Sequence, residues 1–222
     1  MKINAFYLGL IILCASFINP DDSVVIRHTY YTTTFSKSKH IPILVEFTLT
    51  KQMLSCTEHE RRTNKFVKDP ELADATNLGR DYTHSGYDRG HNMSAQDNEC
   101  STTGMKECFY FSNMFPQPHS INAGIWEDLE KHERETATTD DSIEVFIGNI
   151  GQAGTIGEDK VVVPEYCWKV IYIYSSHNYE AYKIPNTTVS PGARYSNYSI
   201  TIEELENEAK IKFQNGKATI EE

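Results

Sequence analysis

Residues 88–130 hold the side chains with the greatest chemical reach in this 222-residue chain. Asp88-Arg89-Gly90-His91 comes first, Asn113 and Pro116-Gln117 follow, and the stretch from Asn122 to Glu130 closes it. Arg89 carries a guanidinium fork that matches a phosphate. Gly90 allows a close backbone approach. His91 takes up a proton near neutral pH. Asn113, Gln117 and Asn122 offer neutral carbonyl oxygens, and Glu130 a carboxylate. Oxygen donors with few full charges suit Mg²⁺, which keeps most of its waters. An anion grip, a base and a hard-cation site together describe phosphodiester hydrolysis. On one continuous helix Asn122 and Glu130 would stand about 12 Å apart along the axis. That distance makes Asn122 the expected direct ligand and leaves Glu130 to orient a water held by the metal.

These residues need a frame. Residues 24–35 are β-branched and aromatic, which predicts one strand, and residues 41–50 alternate as a returning strand after a polar turn. Residues 51–86 are polar and irregular, a long loop of the kind that often carries function. Apolar residues Ile121, Ile125, Trp126 and Leu129 fall at helical spacing, predicting a helix over 121–135 capped by Ser120. Further strands are expected at 143–150, 161–163, 166–174 and 179–184, and a last helix opens at the capping-box pattern Thr201-Ile202-Glu203-Glu204. Strands outnumber helices and no regular βαβ units recur. The fold class is therefore α+β, a mostly antiparallel central sheet flanked by helices.

The formal net charge of −10 weighs against a protein that coats nucleic acid by bulk charge, but not against an enzyme with a basic or metal-loaded site. Lys2 precedes an apolar run of about a dozen residues, short of the roughly 20 that span a bilayer. Residues 1–16 read as a signal peptide and 17–222 as one domain, so the mature chain is expected to be secreted, extracellular or periplasmic. Leu13 does not suit lipid anchoring at Cys14. Cys56, Cys100, Cys108 and Cys167 remain, an even count that suits two disulfides. A short excursion through Thr103-Gly104 favours Cys100–Cys108, leaving Cys56–Cys167. Asn186-Thr187-Thr188 and Asn197-Tyr198-Ser199 match the glycosylation acceptor pattern and stay unassigned.

In the order and spacing of these motifs the chain resembles the DNA/RNA non-specific endonucleases of the ββα-metal (His-Me finger) superfamily. The residues carrying the likeness are Asp88-Arg89-Gly90-His91, Asn113, Pro116-Gln117, Asn122, Gly124, Trp126 and Leu129-Glu130. Upstream Arg62, Phe66 and Asp69-Pro70, and downstream Val163-Pro164, Tyr166 and Trp168-Lys169, extend it over most of the chain. The resemblance implies a secreted, sugar-nonspecific endonuclease acting on DNA and RNA. His91 is then the general base that activates water. Asn122 is the sole protein ligand to Mg²⁺, for which Mn²⁺ is the substitute, and Glu130 bonds the metal's water shell. Arg89 and an upstream arginine, Arg62 with Arg61 as competitor, contact phosphate. Asn113 positions the His91 side, and Asp88 is scaffold. His91 would sit on a β hairpin and Asn122 on the following helix. DNA and RNA are the substrates; a second copy of the chain and an inhibitor protein are the protein partners considered. A catalytically silent nucleic-acid-binding protein on the same fold would be expected to lack His91, Asn122 or Glu130, and all three are present. An inhibitor-controlled nuclease toxin fits the export segment but calls for a delivery domain not seen in these 222 residues.

Overall fold

The computed structural model describes residues 22–72, 78–190 and 192–221. The expected signal peptide and Cys14 lie outside the described residues. Alternating apolar residues build the strands, which appear in the order β1 (Ser23–Arg27), β2 (Thr32–Ser36), β3 (Ile41–Thr50), a short helix α1 (Leu78–Tyr82), β4 (Asp88–His91), α2 (Thr102–Glu107) and β5 (Met114–Gln117). Helix α3 (Trp126–Thr139) leads to β6 (Ser142–Ile150), β7 (Gly154–Ile156), β8 (Val161–Val163), β9 (Tyr166–Ile173), β10 (Asn178–Pro185), β11 (Ser199–Ile200), α4 (Ile202–Ala209), β12 (Ile211–Gln214) and β13 (Lys217–Ile220). Seven strands form the main sheet in the order β1-β2-β3-β6-β9-β10-β11. Every neighbouring pair in it is antiparallel, as the sequence predicts.

Both faces of this sheet are covered, and the two-residue period of a strand decides which residues go where. On β6, Val145 and Ile147 join a core with Trp126 and Leu129 of α3, while Phe146 faces the other way. On β9, Trp168, Val170 and Tyr172 pack with Phe146, Leu205 and Phe213 under α4 and the β12–β13 hairpin. Each large apolar side chain so removed from water contributes on the order of 2 kcal/mol. Thr201 caps α4 through the expected box, its hydroxyl accepting from Glu204 N (3.2 Å) while Glu204 accepts from Thr201 N (2.9 Å). The terminal hairpin turns at Asn215-Gly216, both at positive φ (50° and 70°), the turn that Asn-Gly pairs favour.

Three sequence-based expectations are corrected. Residues 24–35 are not one strand: the chain reverses at His28–Tyr31, where His28 N bonds the Tyr31 carbonyl (2.8 Å). The turn contains no Gly or Pro, so β-propensity ran through it unbroken. The disulfide joins Cys56 to Cys100, and Cys108 and Cys167 are buried free thiols. The excursion after Cys100 is helix α2, capped by the Ser101 hydroxyl accepting from Gly104 N (3.0 Å), and it carries Cys108 into a separate apolar cluster with Ala95, Met105 and Phe109. The helix expected over 121–135 begins as one π-type turn, Ile121–Ile125, in which Ala123 and Gly124 leave helical backbone; Ser120 makes no cap. Asn186, one of the two acceptor-pattern asparagines, is buried and donates to the Pro116 and Pro164 carbonyls (2.9 and 3.1 Å), which leaves its amide no room for a glycan.

Buried Asp69 secures the far end of the 51–72 loop. It accepts from His28 Nε2 (2.9 Å), Glu71 N (2.9 Å) and the Ser112 hydroxyl. Burial pushes its carboxyl up, but these hydrogen bonds outweigh burial and hold it below the usual range. The Asp69→Ala variant is expected to lose about 2 kcal/mol in urea unfolding at pH 7. Because the folded value is depressed, that contribution is complete above the unfolded value near 3.9 and disappears as pH falls through the folded one. An equal deficit at pH 7 and pH 2 would refute this.

Candidate active site

The strands β4 and β5 form a hairpin in which Asp88, Arg89, Gly90 and His91 lie opposite Gln117, Pro116, Phe115 and Met114. Gly90 is required there, since a Cβ would fall 2.1 Å from Oε1 of buried Gln117. Phe115 meets the Trp126 ring edge-on at 6.3 Å, and Trp126 Nε1 donates to the His91 carbonyl (3.3 Å). Hairpin and helix thus make one ββα unit.

His91 ends β4, buried, its ring edge-on to Phe109 (5.0 Å) and beside Phe66 (5.6 Å). It bonds the Arg89 backbone, while its Nε2 has no hydrogen-bond partner. A backbone carbonyl acceptor fixes the proton on Nδ1 and leaves Nε2 as a proton acceptor. Burial, and then the Arg62 charge, lower its pKa to about 3, so the ring is neutral at working pH. Asn113 is fully buried behind it. Its amide oxygen accepts from Met93 N (2.9 Å), and its nitrogen donates to the Met93 and Cys108 carbonyls (both 2.9 Å). Asn113 therefore staples the chain just after His91 and does not reach the cavity.

The π-type turn carries Asn122. Its Nδ2 donates to Asp88 Oδ2 (3.0 Å), which His119 Nδ1 also meets (2.7 Å). The amide nitrogen is thereby committed and the amide oxygen remains available. Asn122, Glu130, His91 and Arg62 all line one cavity of about 190 Å³, together with Ser94 and Glu127. Asn122 and Glu130 line the same cavity, and the chain between them is not one continuous helix, because Ala123 and Gly124 leave helical backbone. Glu127 also lines the cavity, and the sequence motifs do not single it out. Its spacing of three from Glu130 was the available signal, since such pairs share a helix face. Arg89 is not brought into this cavity. Its guanidinium lies over the rings of Phe66 (5.1 Å) and Tyr82 (5.5 Å), donates to the Gly79 carbonyl (3.2 Å), and lines the adjoining groove with Asn64 and Lys65.

Charges lie beneath the cavity floor. Arg134 donates to Asp97 (3.0 Å) and the Ser94 hydroxyl (3.2 Å), and fully buried Lys169 bonds fully buried Glu133. Glu130 is raised to about 8 by burial and by Asp97 and Glu133, against the pull of Lys169 and Arg134. One amide oxygen and two carboxylates form a hard donor set. Among the described residues no three His, Cys, Asp or Glu side chains group into a ligand cage. A cation held here would take few protein ligands and keep its waters, which fits Mg²⁺ or Mn²⁺ better than a thiolate-seeking metal.

This ββα unit on an antiparallel sheet defines a class of protein, and the chain belongs to it: the DNA/RNA non-specific endonuclease family model matches residues 13–220. The chain is 28% identical to the mitochondrial nuclease EXOG of Mus musculus over 206 residues, covering 84% of this chain and 56% of that protein. It is 30% identical to the Xenopus laevis counterpart over 174 residues, covering 69% and 48%. The crystal structure of the EndoG/EndoGI complex superposes with a TM-score of 0.79 at 27% identity, covering 85% of this chain and 84% of that one. The chain spans about half the length of the two EXOG nucleases. The expectation of a secreted protein is overturned, because these relatives are mitochondrial nucleases by name.

Proposed function

We propose that this chain is a metal-dependent endonuclease hydrolysing phosphodiester bonds of DNA and RNA, and that it works in mitochondria as its relatives do. The observation that carries the reading is the partnerless, buried Nε2 of His91 on the same cavity as Asn122, Glu127, Glu130 and Arg62. His91 accepts a proton from the attacking water at Nε2, the Arg89 carbonyl keeping the imidazole in the required tautomer. The Asn122 amide oxygen would hold a cation, and Glu130 and Glu127 would hold its water shell. Bound Mg²⁺, or Mn²⁺ in its place, supplies Lewis acidity at the phosphate and the leaving 3′ oxygen. Arg62 grips the non-bridging oxygens, and Arg89 meets the strand where it runs on into the adjoining groove. Contacts fall on phosphate, so sequence preference is weak, and the low overall charge makes affinity modest and salt-sensitive. With Glu130 raised to about 8, its carboxyl keeps a proton at neutral pH, which would have to leave before the carboxylate could hold a cation's water shell. By likeness to the EndoG/EndoGI complex, an inhibitor protein that covers this cavity is the proposed protein partner.

The test is digestion of plasmid DNA and RNA with Mg²⁺ or with EDTA. Cleavage is expected to stop in EDTA, and Asn122→Ala is expected to cut at least about a hundredfold more slowly at fixed Mg²⁺. Equal cleavage with and without the chelator would overturn the metal-dependent reading.

A further inference from the structure

Residues 55–66 join the 3₁₀ turn Lys51–Leu54 to the isolated bridge of Val67 with Tyr110 and form neither strand nor helix. This segment nonetheless carries Arg62, on the rim of the cavity, and Phe66, against the His91 ring at 5.6 Å. Its near half is tied to one short stretch, residues 99–102. Glu60 N bonds the Glu99 carbonyl (2.7 Å), His59 pairs with Glu99 (2.8 Å), the Thr102 hydroxyl bonds Glu60, and Cys56 is bridged to Cys100. The polar side-chain ties are exposed, where such pairs hold weakly. The covalent bridge is the firm restraint on this near half, while Arg62 itself lies over the Phe109 ring (5.2 Å) and donates to Asn64 Oδ1 (2.8 Å). The Cys100 end is firm as well, because Ser94, Asp97 and Arg134 lock the chain that runs from His91 towards Cys100 onto α3.

The bridge is also reachable. Cys56 and Cys100 are half-buried, and Cys100 lines two openings, of about 570 and 330 Å³. Cys108 and Cys167 offer no alternative pairing: both are buried, and burial pushes each thiol up to about 12.

We propose that the Cys56–Cys100 bridge is a thiol–disulfide exchange site through which a dithiol reductant sets the position of Arg62, and with it phosphate binding. This rests on the assignment of Arg62 to phosphate made above. One thiolate of the reductant attacks a bridge sulfur, giving a mixed disulfide and expelling the other cysteine as thiolate. The second thiol of the reductant then closes its own disulfide and releases the remaining cysteine. Two electrons pass to the bridge, and the reductant's two protons end on Cys56 and Cys100. Reduced, the segment keeps its anchorage at Val67 and Asp69 but loses its hold at Cys56, so Arg62, left with only the exposed Asn64 bond and the Phe109 ring, leaves the cavity rim while His91 and Asn122 stay.

The experiment compares oxidised and dithiothreitol-reduced full chain under native conditions, with Cys56→Ser/Cys100→Ser as a second reduced form. Trypsin is expected to cut after Arg61, Arg62 or Lys65 at least about tenfold faster in both reduced forms while the rest of the fold persists. The kcat/KM is expected to fall about tenfold on reduction, chiefly through KM, the size of one lost charge-assisted phosphate contact. Arg62→Ala should cost a similar factor when oxidised but less than about twofold when reduced, since a group already displaced has little left to lose. The double serine variant should ignore dithiothreitol. Unchanged trypsin cleavage with the full Arg62→Ala cost retained after reduction overturns the proposal, and so does loss of the whole fold on reduction. A chain that cleaves neither DNA nor RNA in any state refutes the nuclease reading instead, and the trypsin arm still decides the exchange site.

Discussion

The His91→Ala variant is expected to lower kcat on both plasmid DNA and RNA by about a thousandfold, the scale of a lost general base. The imidazole is not one donor among several. It is the cavity's one buried nitrogen left without a partner among the described residues, held neutral by burial and by Arg62 and fixed in tautomer by the Arg89 backbone. Nothing beside it can take over: Glu130 and Glu127 are engaged with the cation in the proposed arrangement, and the Asn122 amide is not basic. Truncating a buried ring also leaves a void against Phe109 and Phe66, so His91→Gln, which refills part of that space, belongs beside it. Both variants should bind Mg²⁺ and nucleic acid nearly as the parent does. A fall in kcat of less than about tenfold in both would remove His91 from the role of base.

Lys169→Met is expected to destabilise the fold by about 3–5 kcal/mol at pH 8, measured by urea unfolding. Strand alternation points Lys169 from β9 at the α3 side, where it lies over the Trp126 ring (5.1 Å) and bonds Glu133. Both side chains are fully buried. Removing the cation strands a carboxylate beside Glu130 and Asp97. Even with Lys169 present, burial pushes the Glu133 carboxyl up from its ordinary value, so a proton relieves it readily. A raised carboxyl costs nothing below its unfolded value of about 4.3; the cost grows with pH from there and is complete above the folded value. The deficit should therefore shrink markedly at pH 5, and Glu133→Gln combined with Lys169→Met should recover most of the loss. Equal deficits at pH 5 and pH 8 would mean that packing, not charge, is what Lys169 provides. The change also bears on the site, because Lys169 pulls Glu130 down; without it Glu130 holds its proton more firmly.

Sequence alone determined what depends on neighbours along the chain. The two-residue alternation of 41–50, the strand at 143–150, the apolar run at 166–174 and the capping box at Thr201 reflect local preferences, and the structure keeps all of them. The order and spacing of Asp88 to Glu130 were enough to indicate the family, because a ββα unit is built from one contiguous stretch. Tertiary structure decided whatever depends on residues far apart in sequence. Cys56 meets Cys100 because α2 carries Cys108 away. Arg62, not Arg89, reaches the His91 cavity because the ring of Phe66 stands beside both His91 and Arg89. Glu133 occupies a core position of an otherwise amphipathic helix because Lys169, thirty-six residues later, is there to receive it. Local periodicity cannot encode such meetings: whether a buried charge or a distant thiol is tolerable depends on the free energy of the partner found through space, and that partner exists only once the sheet and helix have packed.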